Sequence, residues 1–182
     1  MANWTKKAAP LAVAAVLAAA ILGGHAQAEA QTHDRNLFFG AGIGFGVWFN
    51  GGDAYFRAEE GIGYHVLNVG DHPGLYVAFA FGQAVTRFVA LNFAGRVGFD
   101  ILVWQNQDLA VLVNPSLQLG AGLFLFSGQA EAGFFMQPSV EASIALLEGM
   151  LNVWWRPLAF DILIRDGGGA GYVMMWGANL NF

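Results

Sequence analysis

From residue 37 onward the chain alternates with period two. In Leu37–Asn50 the odd positions are Leu37, Phe39, Ala41, Ile43, Phe45, Val47 and Phe49, while the even positions include Gly40, Gly42, Gly44 and Gly46. A strand points successive side chains to opposite faces, so the segment predicts a strand with one bulky apolar face and one nearly bare face. Phe88–Trp104 repeats the pattern, with Val89, Leu91, Phe93, Val97, Phe99, Ile101 and Val103 opposite Asn92, Arg96, Gly98 and Asp100. In Ala130–Leu146, Phe134, Met136, Val140, Ala142, Ile144 and Leu146 oppose Glu131, Gly133, Gln137, Ser139, Glu141 and Ser143. Leu75–Thr86, Leu109–Phe126 and Tyr172–Phe182 split the same way. Phe56, Ala58, Ile62, Tyr64 and Val66 lie opposite Arg57, Glu59, Gly61, Gly63 and His65.

Turn signals separate these runs at 50–53, 70–73, 105–108, 127–129, 147–150 and 165–170. A seventh corner falls somewhere in 83–88, where neither Gly nor Pro marks it. Seven turns make eight strands. Residues 29–182 then allow roughly 19 residues per strand and turn, enough for strands that cross a bilayer in roughly 9–11 residues. A barrel of sixteen strands would need about twice the chain.

The large apolar residues decide which face points out. An eight-stranded barrel is just wide enough for its own side chains, and roughly 45 large apolar residues cannot fit inside it. The Gly, Ala, Ser, Asn and Gln face suits the interior, so the apolar face points outward, toward lipid. Closure leaves no unpaired sheet edge, which a bilayer demands. Phe38, Phe39, Trp48, Phe49, Tyr55, Phe56, Tyr76, Trp104, Trp154, Trp155 and Tyr172 lie near strand ends, as interface girdles would.

Composition narrows the class further. The 182 residues are 56% hydrophobic and 12% charged, with no Cys, which excludes disorder, a disulfide scaffold and thiolate chemistry. Both lysines fall in the first seven residues, and no basic stripe exists to hold nucleic acid. Lys6 and Lys7, the apolar run Leu11–Leu22 and Ala26-Gln27-Ala28 form the three parts of a secretory signal peptide. The expected organisation is a signal peptide over 1–28, cleaved after Ala28, a short periplasmic tail over 29–35, and the barrel over 36–182. An even strand number puts both barrel termini in the periplasm.

The chain resembles the small eight-stranded outer-membrane barrels of the OmpA/OmpX/OmpW-like group over Asn36–Phe182. The most specific part is the end, where Trp176, Ala178, Leu180 and Phe182 alternate up to a terminal Phe. The resemblance implies that Trp176, Leu180 and Phe182 are read by the outer-membrane insertion machinery, after handling by periplasmic chaperones. It implies residence among outer-membrane lipids in a Gram-negative cell. Its connections look shorter than the long external loops of that group, and no peptidoglycan-binding domain is expected. The fold expectation is all-β: an antiparallel transmembrane barrel in up-and-down meander order.

The polar face supplies the candidate chemistry. It places Arg57, Glu59, Arg96, Asp100, Glu131, Glu141 and Asp161 inside, where charges must be paired or solvated. A salt-bridged plug centred on Arg96 is expected, and with it a structural, membrane-organising role. The alternative is a narrow pore for small cations or apolar solutes, constricted by Arg57, Arg96 and Asp161. Glu60 has lipid-facing parity and is expected above the membrane, in a first loop reaching from 50 to about 60. Arg87 and Arg156 are expected to snorkel from strand ends. Pro115, Pro138 and Pro157 fall inside strands and predict kinks or bulges. The four glycines of strand one are expected to make room for long side chains, Arg96 above all.

No catalytic, cofactor-binding or metal site is expected. Gly42–Val47 lies in a strand with no helix after it, so no dinucleotide site forms. His33, His65 and His72 sit at unrelated places and make no metal cluster. His65 faces inward with no serine near it in sequence, and only Ser116, Ser139 and Ser143 share its interior. A lipid-modifying enzyme is therefore the last of the three readings.

Overall fold

The protein is described by a computed structural model over residues 36–69, 72–126, 129–164 and 168–182. The expected signal peptide and periplasmic tail lie outside the described residues. Eight strands follow one another: β1 (Leu37–Trp48), β2 (Ala54–His65), β3 (Leu75–Val85), β4 (Val89–Phe99, resumed at Ile101–Gln105), β5 (Leu109–Phe126), β6 (Gln129–Leu146), β7 (Leu151–Ile164) and β8 (Gly169–Asn181). Each pairs antiparallel with the next, and β8 pairs with β1 to close the barrel. Leu37 and Phe182 exchange backbone hydrogen bonds of 3.3 and 2.8 Å, so both ends lie at one rim.

The register fixes the tilt. Partners followed from Phe39 run through Ile62, Phe79, Gly95, Leu119, Met136, Ile162 and Ala170. Ala170 accepts from Phe49, so the circuit returns ten residues further along β1, from 39 to 49. Such a stagger in eight strands goes with a tilt of roughly 35–45°. Outward positions are apolar almost throughout, from Ile43 and Phe45 on β1 to Trp176 and Leu180 on β8.

The corners follow local chemistry. The unmarked corner falls at 86–88, closed by Thr86 donating to the Phe88 carbonyl at 3.0 Å. Asn106 accepts from the amides of Asp108 and Leu109 at 2.9 Å and sets the β4–β5 turn. In the β6–β7 turn Leu147 and Glu148 have φ of 53° and 55°, the twist a tight hairpin requires but a conformation that costs residues with a Cβ. The β2–β3 connection is longer than expected, because 68–69 pairs with 72–73 as a small extra ladder.

Several expectations are corrected here. The first loop is short, since β2 begins at Ala54, and Glu60 lies within the strand, paired with Ala41 and Phe81. Its side chain is exposed on the outward face. Pro115 and Pro138 cause no bulge between β5 and β6, whose register runs unbroken through both. Each falls where the ladder on its other side is already interrupted: Pro115 beside the break at Asp100, Pro138 beside an unpaired stretch of β7. Proline lacks the donor such a position would need. Pro157 does mark a bulge. β7 gains one residue there relative to both neighbours, between Trp155 and Leu158 on one side and Arg156 and Ala159 on the other.

Candidate functional site

That bulge decides the interior. Before it, even positions of β7 point inward; after it, odd positions do. Trp154 and Arg156 therefore share the lumen with Ala159, Asp161 and Leu163. Arg156 does not snorkel: it is fully buried and holds the centre of the barrel. Its Nη1 donates to Glu59 at 3.0 Å and to Gln137 at 3.2 Å, and its Nη2 and Nε donate to Glu141 at 3.1 and 3.3 Å. Its guanidinium lies 4.9 Å from the centroid of the Trp154 ring.

Glu59 is the acid on which the network converges. It pairs with Arg156, with Arg96 and, at 3.4 Å, with Arg57, and it accepts from Gln118 at 3.1 Å. Arg57 reaches Asp161 at 3.2 Å, and Asp161 also accepts from Tyr55 at 2.8 Å and Gln137 at 2.6 Å. Arg57 lies 5.2 Å from the centroid of Phe135. Toward the rim of the termini, His65 Nε2 stands 3.0 Å from Asp100, which also accepts from Asn114. Ser143 donates to Asn114 at 3.1 Å.

The structure thus brings together Arg57, Glu59, Arg96, Asp100, Glu141 and Asp161, with Arg156 in the place expected for Arg96. Glu131 keeps inward parity but is exposed, three residues beyond Phe134, the last β6 residue with a described β7 partner. The lumen then holds Arg57, Arg96 and Arg156 against Glu59, Asp100, Glu141 and Asp161, close to balance rather than strongly acidic.

An apolar layer lies above this network, at the rim opposite the termini. Phe124, Phe135 and Val173 are fully buried there with Leu163, Trp48 and Tyr55. Trp48 stacks on Tyr55 at 4.8 Å. Of the aromatic girdle expected from sequence, Phe38, Trp48, Tyr55, Tyr76 and Trp154 point inward instead, because each has the parity of the lumen face. Phe39, Phe49, Phe56, Trp104 and Trp155 do face out. The space over the β1 glycines is taken by Asn179, Trp154, Met175 and Tyr55, not by Arg96. Arg87 sits at the outer rim, exposed, 3.2 Å from Asp53.

Among the described residues the lumen keeps small voids. Phe38, His65, Tyr76, Asn152, Asn179 and Asn181 help line a polar void of about 20 Å³ near the terminal rim, the space of about one water. His65 Nδ1 and Asn152 Oδ1 there have no hydrogen-bond partner among the described residues. His65 and Asp100 make a dyad, but the serines lie elsewhere: Ser116 and Ser139 bond each other at 2.9 Å, and Ser143 is bound to Asn114. No nucleophile stands on the free nitrogen of His65 among the described residues. No group of three or more His, Asp or Glu residues able to hold a metal occurs among them either. Trp176, Leu180 and Phe182 all lie on the outward face.

No protein-family model matches the chain, and no curated protein matches it in sequence. Among solved structures it is similar to the crystal structure of Neisserial surface protein A, at 10% identity and a TM-score of 0.54, over 80% of this chain and 96% of that one. It is also similar to the N-terminal β-barrel domain of Pseudomonas aeruginosa OprF, at 11% identity and a TM-score of 0.51, over 81% of this chain and 98% of that domain. At such identities the likeness is one of fold. That fold is the small eight-stranded outer-membrane β-barrel.

Proposed function

We propose that the chain is an integral outer-membrane barrel with a closed interior, and that its role is to occupy and organise the membrane rather than to pass solutes. One observation carries this reading: the lumen is filled across two successive layers. The Arg156–Glu59 network fills the middle, and Phe124, Phe135, Leu163 and Val173 fill the level above it. A pore would need an unbroken wet path, and an apolar layer of fully buried side chains interrupts one. The near balance of inward charge also removes the bias toward cations that a lumen with five acids and two arginines would have. No catalytic role is proposed, since among the described residues no nucleophile adjoins the His65–Asp100 pair.

The location is tested by fractionating cells and running the membrane fraction on gels with and without boiling. A folded barrel in the outer membrane migrates differently before and after heating. Recovery in the aqueous periplasmic fraction, with no heat shift, would overturn the reading.

A further inference from the structure

Glu60 on β2 is the one charged side chain on the outward face away from the rims among the described strand residues. It is exposed, and its carboxyl makes no hydrogen bond or ion pair among them. It lies six residues from the outer end of β2 at Ala54 and five from the other end at His65. With a rise of about 3.3 Å and a tilt of about 40°, each end is roughly 13–15 Å away along the membrane normal. That is farther than a glutamate side chain can snorkel. Charged or neutral, a carboxyl needs polar partners, and lipid chains offer none. A lipid-facing carboxyl at this depth is solvated when the bilayer thins around it and lets water in.

The wall around Glu60 is shaped for that. β1, β2 and β3 have 12, 12 and 11 residues, whereas β5 and β6 have 18 each. The outward positions of β5 and β6 are apolar from Leu109 to Leu125 and from Ala130 to Leu146. At the same tilt that band is about 40 Å tall, against about 25 Å for the outward positions of β1 and β2. The apolar belt is thus tall and unbroken on one wall, short and interrupted on the other. Gln83, exposed on the outward face of β3, pairs with Ala58 and stands diagonal to Glu60, roughly 7–8 Å away. It lies two residues from the end of β3, beside the outer corner that carries the exposed Arg87. Gln83 is therefore a polar step from that corner down toward Glu60. Ala58 and Ala41, next to Glu60 on β2 and β1, are small and leave space for water between the larger side chains.

We propose that the barrel thins the bilayer against its β2–β3 wall, drawing water from the outer rim past Gln83 to Glu60. The partner is the lipid itself, and the proposal rests on the outer-membrane reading above. The chain has no cysteine, so a single cysteine reports water at a chosen point. Ala58→Cys and, on the tall wall, Leu119→Cys are placed in the full chain and folded into dioleoylphosphatidylcholine vesicles. Three strand steps raise Leu119 above Ile62 as far as four residues raise Ala58, about 10 Å, so the two sit at one depth. The heat shift is read first, and if Ala58→Cys lacks it, Ile43→Cys, its partner on β1, takes its place. A sulfonate-bearing methanethiosulfonate, present on both sides, should react with Ala58→Cys at least about tenfold faster than with Leu119→Cys, because hydrocarbon excludes a charged reagent. Adding Glu60→Leu and Gln83→Leu should bring the Ala58→Cys rate down to that of Leu119→Cys. Equal rates at the two positions in folded protein would overturn the thinning, as would an Ala58→Cys rate unmoved by the double leucine change. The same reaction is run in isolated outer membranes. Protection of Ala58→Cys there, with fast reaction in vesicles, would mean that a protein covers the wall, and would overturn the thinning too. A wild-type chain without heat shift or membrane recovery would overturn the outer-membrane reading instead, and the thinning with it.

Discussion

Arg156 is the residue on which the interior depends most. It neutralises Glu59 and Glu141 and is sealed from water. Removing one partner of a buried pair leaves charge uncompensated and costs roughly 3–5 kcal/mol. Arg156→Ala should therefore destabilise the barrel by that order, and by more than Arg96→Ala, whose side chain is 12% exposed and can draw on water. Urea unfolding in lipid vesicles, followed by tryptophan emission, measures both. A larger loss for Arg96→Ala would restore Arg96 to the centre. Gly42 offers a second test at this scale. A Cβ there would meet the Trp154 ring, which also covers Gly177. Gly42→Leu should cost about 1–3 kcal/mol by overpacking. An unchanged unfolding midpoint would mean that Trp154 does not lie over β1.

Much of this was legible residue by residue, and the failures share one cause. Period two gave the inward parity of Arg57, Glu59, Arg96, Asp100, Glu141 and Asp161. Parity cannot say how exposed a position is, and Glu131, inward by parity, is exposed near the outer end of β6. Nor does it survive a bulge: counting evenly through β7 puts Arg156 and Asp161 on opposite faces, yet one extra residue at Pro157 turns both inward. Pro157 itself was the available signal. The inward Phe135, Leu163 and Val173 were also readable, since each shares the parity of the lumen face, but an interior expected to be small and polar left them unconsidered.

At the scale of the element, β7 makes an unusual prediction. The bulge adds one residue relative to both β6 and β8. Deleting Pro157 removes that residue and leaves Trp154, Arg156, Ala159 and Asp161 in one continuous inward alternation. The deletion should still insert and show a heat shift, because no side chain changes face. Loss of the folded form would show that the bulge, capped by the Tyr172 hydroxyl donating to the Pro157 carbonyl at 2.5 Å, is required for closure. The β6–β7 turn predicts a gain instead. Leu147 and Glu148 hold positive φ, where Asn and Gly are at ease. Replacing them by Asn-Gly should stabilise the barrel by about 1 kcal/mol, seen as a higher urea midpoint. A fall in the midpoint would mean that Leu147 contributes more by its contacts than its backbone costs.

For the whole molecule, the fold follows from two incompatible volumes: too much apolar surface to enclose, and a lumen just wide enough for what the other face carries. Once closed, the barrel has a polar end with a small void near its termini and an aromatic layer at the other. The central claim is that this layer and the ion network together close the lumen. The most direct measurement is the conductance of the folded wild-type chain in a planar bilayer, at both polarities and in high salt. The account predicts a baseline without discrete steps, at protein levels where the heat-shifted form is confirmed in the same membrane. Steady, cation-selective unitary steps that scale with folded protein would contradict it, and would mean that water and ions pass where Phe124 and Phe135 stand.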